Sequence, residues 1–282
     1  MVDNFSDKKR SRRQFLAGAA AFGTGATTAG SLSASGDDPL ITEVQEWAQI
    51  TGDGVDATPY GLPIEFEKDV VRRNVGWLTA DTISSINFSP IHALEGTITP
   101  QGCAFERHHS GAIELRKEDY RLMINGLVDQ ELVFTYDDLE RFPREQHVYF
   151  CECAANTGME WAGAQLNGVQ FTHGMIHNME YIGVPLRTLL NEAGLNAAGN
   201  LKGKWIFVEG ADASSNGRSI PMEKALDDVL VAFKANGEAL RKEHGYPVRL
   251  VVPGWEGNMW VKWLRRVEVM DRPVESREET SK

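Results

Sequence analysis

The sequence predicts an α+β domain built on a mixed sheet, and three observations predict it. Short runs rich in Val, Ile, Phe and Tyr recur through the body of the chain. A few short helices carry recognisable start and stop signals. The two kinds of element do not alternate with the regular βαβ period that a doubly wound parallel sheet requires.

Residues 37–56 read as an acidic lead-in with one short amphipathic helix, in which Val44, Trp47 and Ala48 share a face. Thr58-Pro59-Tyr60-Gly61 reads as a turn. From Ser84 to Gly111, short apolar runs mix with Pro90, Pro100 and three glycines, which predicts irregular connections over a surface or around a pocket. That stretch ends in the cationic cluster Phe105-Glu106-Arg107-His108-His109. Tyr120 to Leu127 and Glu131 to Phe134 read as strands flanking a turn. Thr135 then caps a short helix, Asp138 completes a capping box, and Pro143 stops it.

The run His147-Val148-Tyr149-Phe150-Cys151-Glu152-Cys153 alternates like a strand and gives way to a loop at Ala154-Ala155-Asn156. Tyr149, Cys151 and Cys153 share one face, with Val148, Phe150 and Glu152 on the other. A Gly-rich loop follows. Pro185 opens a helix that places Leu186, Leu189, Leu190 and Ala193 on one face and closes at Gly194. Lys204 to Glu209 and Val229 to Lys234 read as strands, and Asn236-Gly237 as a hairpin turn. Val248 to Val252 suits a buried strand, and Val261 to Met270 returns as another. The charged, apolar-poor tail after Asp271 reads as unstructured or as a severed connection.

With 282 residues the chain can bury a sizeable core. Its formal net charge of -11 argues against a nucleic-acid binder and suits a protein that meets small anions in a basic pocket or docks a basic partner. Residues 1–35 stand apart. Ser11-Arg12-Arg13-Gln14-Phe15-Leu16 carries twin arginines ahead of an uncharged Ala/Gly/Thr run, Ala17 to Gly30, too short and small to span a membrane. This is similar to a twin-arginine export signal, with processing after Ser31 or Ala34 as alternatives. It implies a periplasmic protein whose cofactor is inserted before export.

Cys103, Cys151 and Cys153 are too few and odd in number for a disulfide scaffold. A Cys151–Cys153 bridge joins neighbours on one strand face and strains the preferred geometry, so at least one thiol stays free, as a ligand or deeply buried. His173 and His177 are spaced for a shared helix face, as in a zinc pair completed by Cys153. Gly174 between them and the lack of an acidic third ligand weigh against it.

Four segments carry the chemistry: Phe105-Glu106-Arg107-His108-His109; Glu152-Cys153-Ala154-Ala155-Asn156; Glu209-Gly210-Ala211-Asp212 with Gly217-Arg218-Ser219-Ile220-Pro221; and His244-Gly245-Tyr246-Pro247-Val248-Arg249, running through Val252-Pro253-Gly254 to Trp260-Val261-Lys262-Trp263-Leu264. Together, and in this order, they resemble the molybdenum domain of the sulfite oxidase family over roughly residues 55–270. The resemblance implies a sulfite oxidase-like molybdopterin-binding domain over 36–270 and a molybdenum-molybdopterin cofactor. It implies that Cys153 is the metal ligand and, with Arg107, part of the catalytic centre. Phe105, Arg107, His108, His109, Asp212, His244, Arg249, Trp260, Val261 and Lys262 are implied as cofactor contacts. The residue types suit these roles: a thiolate is a soft ligand for such a metal, and Arg, His and Lys hold a cofactor phosphate.

Two departures from the family's pattern matter. Sulfite-oxidising members have two consecutive arginines after the Cys-Ala-Gly-Asn motif, where this chain has Thr157 and Gly158. With the Thr-Pro-Tyr-Gly, Phe-Glu-Arg-His-His and Met159-Glu160-Trp161 stretches, this resembles the sulfane dehydrogenase branch. Its members oxidise sulfur held as a persulfide on a carrier protein and pass electrons to a c-type cytochrome. The family also continues into a tyrosine near the metal and a dimerisation domain, and residues 271–282 are expected to be a truncated linker towards them. The implied activity is oxygen transfer to a reduced sulfur centre, from a carrier or from sulfite. The alternatives are direct sulfite oxidation and an inactive cofactor-binding remnant. Neither a nucleic acid nor a membrane is an expected partner.

Overall fold

The computed structural model describes residues 50–55, 57, 61–195 and 203–281. The expected export signal, the helix around Val44 to Ala48, and Thr58, Pro59 and Tyr60 lie outside them. The chain divides into Met1–Thr58 and Pro59–Lys282. In the first unit the described residues are exposed and without regular structure. All that follows concerns the second.

Strands β1 (Arg73–Asn74) and β2 (Asn87–Phe88) form a small antiparallel pair within the irregular, proline-broken stretch. Next come β3 (Arg121–Gly126), β4 (Leu132–Thr135), helix α1 (Tyr136–Arg141) and β5 (Glu145–Glu152). Helix α2 (Val169–His173), β6 (Ile176–Pro185) and α3 (Leu186–Glu192) follow. The rest is β7 (Trp205–Gly210), β8 (Gly217–Pro221), α4 (Met222–Asp227), β9 (Leu230–Ala235), β10 (Glu238–Ala239), β11 (Arg249–Val251), β12 (Leu264–Met270) and α5 (Arg277–Ser281).

These build two five-stranded sheets. The first runs β10-β9-β6-β5, with β11 also on β9, and is antiparallel throughout. The second runs β4-β3-β12-β7-β8 and is mixed, because β12 lies parallel to β3 and antiparallel to β7. The α+β reading with a mixed sheet therefore holds. Inward residues of both sheets, among them Leu122, Ile124, Tyr181, Val208, Phe233, Leu250 and Val267, join one continuous core. Helix α3 adds Leu186, Leu189 and Leu190, each fully buried and each contributing roughly 2 kcal/mol by its removal from water.

Local signals explain the ends of several elements. Thr135 and Asp138 exchange side-chain and backbone hydrogen bonds at the start of α1. Asn236 and Gly237 both take positive φ, 51° and 76°, the paired left-handed conformation that closes the tight β9–β10 turn. Strand β5 alternates as expected: Cys151 is buried and Tyr149 half-buried, while Val148 and Phe150 are 50% and 54% exposed.

Four expectations change. The loop foreseen between Cys153 and Pro185 contains the ten-residue strand β6, paired along the whole of β5. His173 therefore ends α2 while His177 lies in β6, with Gly174 between, so the two do not share a helix face. The final strand begins at Leu264 rather than Val261, because Trp263 adopts φ 51° and breaks the extended run. The tail, expected to be without structure, forms α5 and is clipped to β8, where Ser219 N–H donates to Glu279 at 2.8 Å and Ser276 Oγ to the Gly217 carbonyl at 2.9 Å.

Candidate functional site

A cavity of about 300 Å³ opens where the end of β5 meets the start of β6 and three further segments: Phe105 to His109, Asp212 to Arg218, and Glu243 to Trp263. Phe105, Arg107, His108, His109, Cys153, Asp212, His244, Arg249, Trp260 and Lys262 all line it. Val261 does not: its side chain is fully buried in the core, its N–H donates to the Met259 carbonyl at 3.0 Å and its carbonyl accepts from Leu250 at 2.8 Å.

Cys153 sits one residue beyond β5, at the mouth, with its N–H bonded to the Met175 carbonyl at 3.0 Å. The loop after it is stapled by Asn156, whose amide donates to Glu152 Oε1 at 2.9 Å and accepts from Met175 N–H at 3.1 Å. This accounts for an asparagine at that place and for small residues between. Burial pushes the Cys153 thiol up, while the Ala155 N–H and the Arg107 guanidinium favour the thiolate. Cys151 lies deeper, 2% exposed, its thiol pushed up to about 12 chiefly by burial, and is an inert core group by comparison. All three cysteines are free.

The inner wall is cationic and bonded in advance. Arg249 is buried and donates to the carbonyls of His244 (3.3 Å), Trp260 (3.2 Å) and Leu250 (3.4 Å). Its guanidinium also stands 5.6 Å from the Trp260 ring centre and 5.7 Å from that of Tyr181. The Lys262 ammonium donates to the carbonyls of Arg107 (3.0 Å) and Glu243 (3.1 Å) and meets His108 Nδ1 at 2.8 Å. Burial, then Arg249, pulls the lysine down to about 7. Arg107 donates to the carbonyls of His108 and Ser85, which ties it to its own segment and to the neighbouring Ser85–Ile86 stretch at the cavity edge. Trp263, with its bulky side chain at positive φ, turns the chain so that Lys262 faces inward.

Residues that the sequence did not assign to the cofactor complete the wall. His177 faces Cys151 across the β5–β6 ladder, bonds Tyr181 Oη at 3.0 Å, and is pulled down to about 3 by burial and then by Arg249 and Lys262, so it is neutral. Asn216, Arg218, Asn258 and Trp263 also line the cavity. The alternation of His177, Met179 and Tyr181 against Asn178 and Glu180 is the signal that marks β6 and with it His177. Gly257 admits the wall to β5: a Cβ there would meet Cys151 Sγ and the Glu152 carbonyl, each at 3.1 Å.

The donor and acceptor set fits a molybdopterin. Arg249 and Lys262 give all their hydrogen bonds to neutral acceptors, so the wall carries buried positive charge that a phosphate would compensate. Asp212 Oδ1, Asn216 Oδ1, Asn258 Oδ1, His177 Nδ1, His244 Nδ1 and Trp263 Nε1 are buried without a hydrogen-bond partner, acceptors and donors of the kind a pterin ring and its tail can satisfy. No cluster of three His, Cys, Asp or Glu suited to a metal ion occurs among the described residues, so His173, His177 and Cys153 do not assemble a zinc site.

Comparison with known proteins agrees with this chemistry. The profile of the oxidoreductase molybdopterin-binding domain matches residues 109–278. The crystal structure of the sulfane dehydrogenase SoxCD from Paracoccus pantotrophus is similar with a TM-score of 0.80 and 72% identity, covering 87% of this chain and 62% of that one. Mitochondrial sulfite oxidase from Homo sapiens is 35% identical over 191 residues, 64% of this chain and 34% of that protein. The NADH nitrate reductase of Solanum lycopersicum is 34% identical over 193 residues, 64% of this chain and 21% of that protein. The chain thus spans about a third of the sulfite oxidase and a fifth of the nitrate reductase it matches. On its sequence, its fold and the fit of its cavity, the chain belongs to the oxidoreductase molybdopterin-binding domain family, shared with sulfite oxidase, and has a molybdenum-molybdopterin as its cofactor.

Proposed function

We propose that the chain is the molybdenum subunit of a periplasmic sulfane dehydrogenase, exported through a twin-arginine signal in residues 1–35 and handing electrons to a c-type cytochrome. The observation that carries this reading is the cavity mouth. Sulfite-oxidising relatives resemble one another in having two arginines just after the metal-ligating motif, and this chain has Thr157 and Gly158 there, half-buried in the loop that runs on from the cavity-lining Ala154 and Ala155. A mouth with fewer cations captures a small dianion poorly and leaves room for a sulfur atom presented on a carrier's arm. The 72% identity to a sulfane dehydrogenase supports the same choice.

In this reading Cys153 ligates the metal and tunes it rather than attacking substrate. When bound, the cofactor supplies two-electron oxygen transfer to sulfur, followed by one-electron reoxidation. Arg107, beside Cys153 at the mouth, holds the oxyanion that develops on the sulfur, where a charge-assisted hydrogen bond counts most. Arg249 and Lys262 supply charge for the cofactor's phosphate, and His177, neutral, offers Nδ1 without a competing charge. Residues 36–270 are the cofactor domain.

The test is the ratio of turnover on a persulfide-loaded carrier to turnover on free sulfite, with cytochrome c as acceptor. The proposal expects the carrier to be preferred, and expects Thr157→Arg to shift the ratio towards sulfite by about tenfold, the worth of one charge-assisted contact. Faster turnover on sulfite by the unaltered chain makes it a sulfite dehydrogenase instead.

A further inference from the structure

Arg72 lies in the stretch ahead of residue 109, where the match to the family profile begins. Its guanidinium nonetheless joins two walls of the cavity. It meets Glu106 at 3.2 Å and Glu243 at 3.2 Å, and donates to the Ala104 carbonyl at 3.5 Å. Glu106 is in turn the centre of a cluster. It accepts from Asn87 Nδ2 at 2.6 Å and approaches His108 Nε2 at 2.5 Å, while Asn87 Oδ1 takes the Glu106 N–H at 2.8 Å. On the far side of the same imidazole, His108 Nδ1 faces the Lys262 ammonium at 2.8 Å.

The two imidazole contacts select one arrangement of protons. A carboxylate accepts, so Nε2 must carry the hydrogen; an ammonium donates, so Nδ1 must be bare. The opposite tautomer would set two acceptors face to face at Glu106 and two donors face to face at Lys262. Burial works against charge on Glu106, yet the hydrogen bond from His108 and the Arg72 guanidinium pull its carboxyl down to about 2, consistent with an anion at that end of the chain of contacts. Lys262 gives its other two hydrogens to the carbonyls of Arg107 and Glu243, so it ties the Arg107 segment to the segment that Arg72 clamps from outside.

We propose that Arg72 and Glu106 are positioning residues whose contacts fix His108 in the Nε2–H tautomer and through it aim the Lys262 ammonium, which holds Arg107 and Glu243 at the cavity wall. None of these contacts requires Arg72 or Glu106 to touch substrate. The inference rests on the cavity being the molybdopterin site, and it extends the site's support to a residue outside the segment matching the family profile.

The test uses the cofactor-loaded chain labelled with 15N-histidine, with His108 assigned through His108→Gln. Long-range proton–nitrogen spectra should show His108 neutral, protonated on Nε2, with a bare and hydrogen-bonded Nδ1. In Glu106→Gln, checked for folding by circular dichroism, that single signature should give way to a mixture of tautomers, and molybdopterin should dissociate roughly 10–100-fold faster. Glu106→Asp should restore part of both. A proton on His108 Nδ1 in the unaltered protein overturns the proposal without recourse to any variant. So does a Glu106→Gln protein with an unchanged His108 spectrum and unchanged cofactor release. An unaltered chain that never holds molybdopterin sinks the reading of the cavity instead, and the His108 spectrum still decides the relay.

Discussion

At the inner wall of the cavity, Lys262 makes three hydrogen bonds and Arg249 another three before any ligand arrives. At the mouth, Cys153, Ala154 and Ala155 are small, and the backbone turns Asn156 to Cys153 (2.9 Å) and Gly158 to Ala155 (3.1 Å) hold the loop that runs on to Thr157 and Gly158. The wall places charge in a buried setting where it is costly unless an anion is present; the loop after Cys153 carries no charged side chain before Glu160. The two regions are built separately: the wall is assembled by its own hydrogen bonds and the loop by its own turns, so the proposed function assigns cofactor capture to the first and choice of sulfur substrate to the second.

Titrating the wall should have the largest effect. Lys262 is pulled from an unfolded value near 10.4 down to about 7, so between those pH values the unfolded chain holds a proton that the folded chain has released. Stability of the cofactor-free protein should therefore rise with pH across that window, by about 4 kcal/mol after allowing for partial exposure, the penalty being fully present below pH 7. A bound phosphate raises the lysine again and should flatten the slope. Denaturant unfolding across the window, with and without cofactor, reads both.

Glu106 comes next. Its depressed pKa contributes stability that is present above about 4.5 and lost as pH falls through about 2. Glu106→Gln should cost about 3 kcal/mol at neutral pH and remove that acid-dependent part. The mouth should respond in the opposite sense. Thr157 is a β-branched residue at φ 63°, a conformation suited to glycine, so Thr157→Gly should raise stability by about 1 kcal/mol in thermal unfolding. The smallest effect is expected on the outer face of β5, where Phe150→Lys should stay within about 0.5 kcal/mol and leave cofactor content unchanged.

Much of the site was legible because its chemistry is carried by residue types that are costly to bury without purpose. The arginines, histidines and thiol of the four segments converge on one cavity although they lie far apart in sequence. The capping box of α1 and the Asn236-Gly237 turn were equally plain, since each depends on side chains a few residues apart. What stayed hidden depends on pairing across distance. β6 was taken for loop because Gly168, Gly174 and Gly183 punctuate its surroundings, although its own alternation was present. Trp263 delayed the start of the last strand through a backbone angle that no residue preference announces. Arg72 gave no signal at all, being an ordinary arginine until the fold sets it against Glu106 and Glu243.

The central claim is that the cavity holds a molybdenum-molybdopterin with Cys153 as its protein ligand. It is tested most directly by molybdenum content and pterin fluorescence of the chain purified from a host that makes the cofactor, beside Cys153→Ser. The account predicts near-stoichiometric metal and pterin in the unaltered chain, and a folded variant that keeps pterin while its metal spectrum changes. Folded protein without molybdenum or pterin, or a variant whose metal spectrum is identical to that of the unaltered chain, would contradict it.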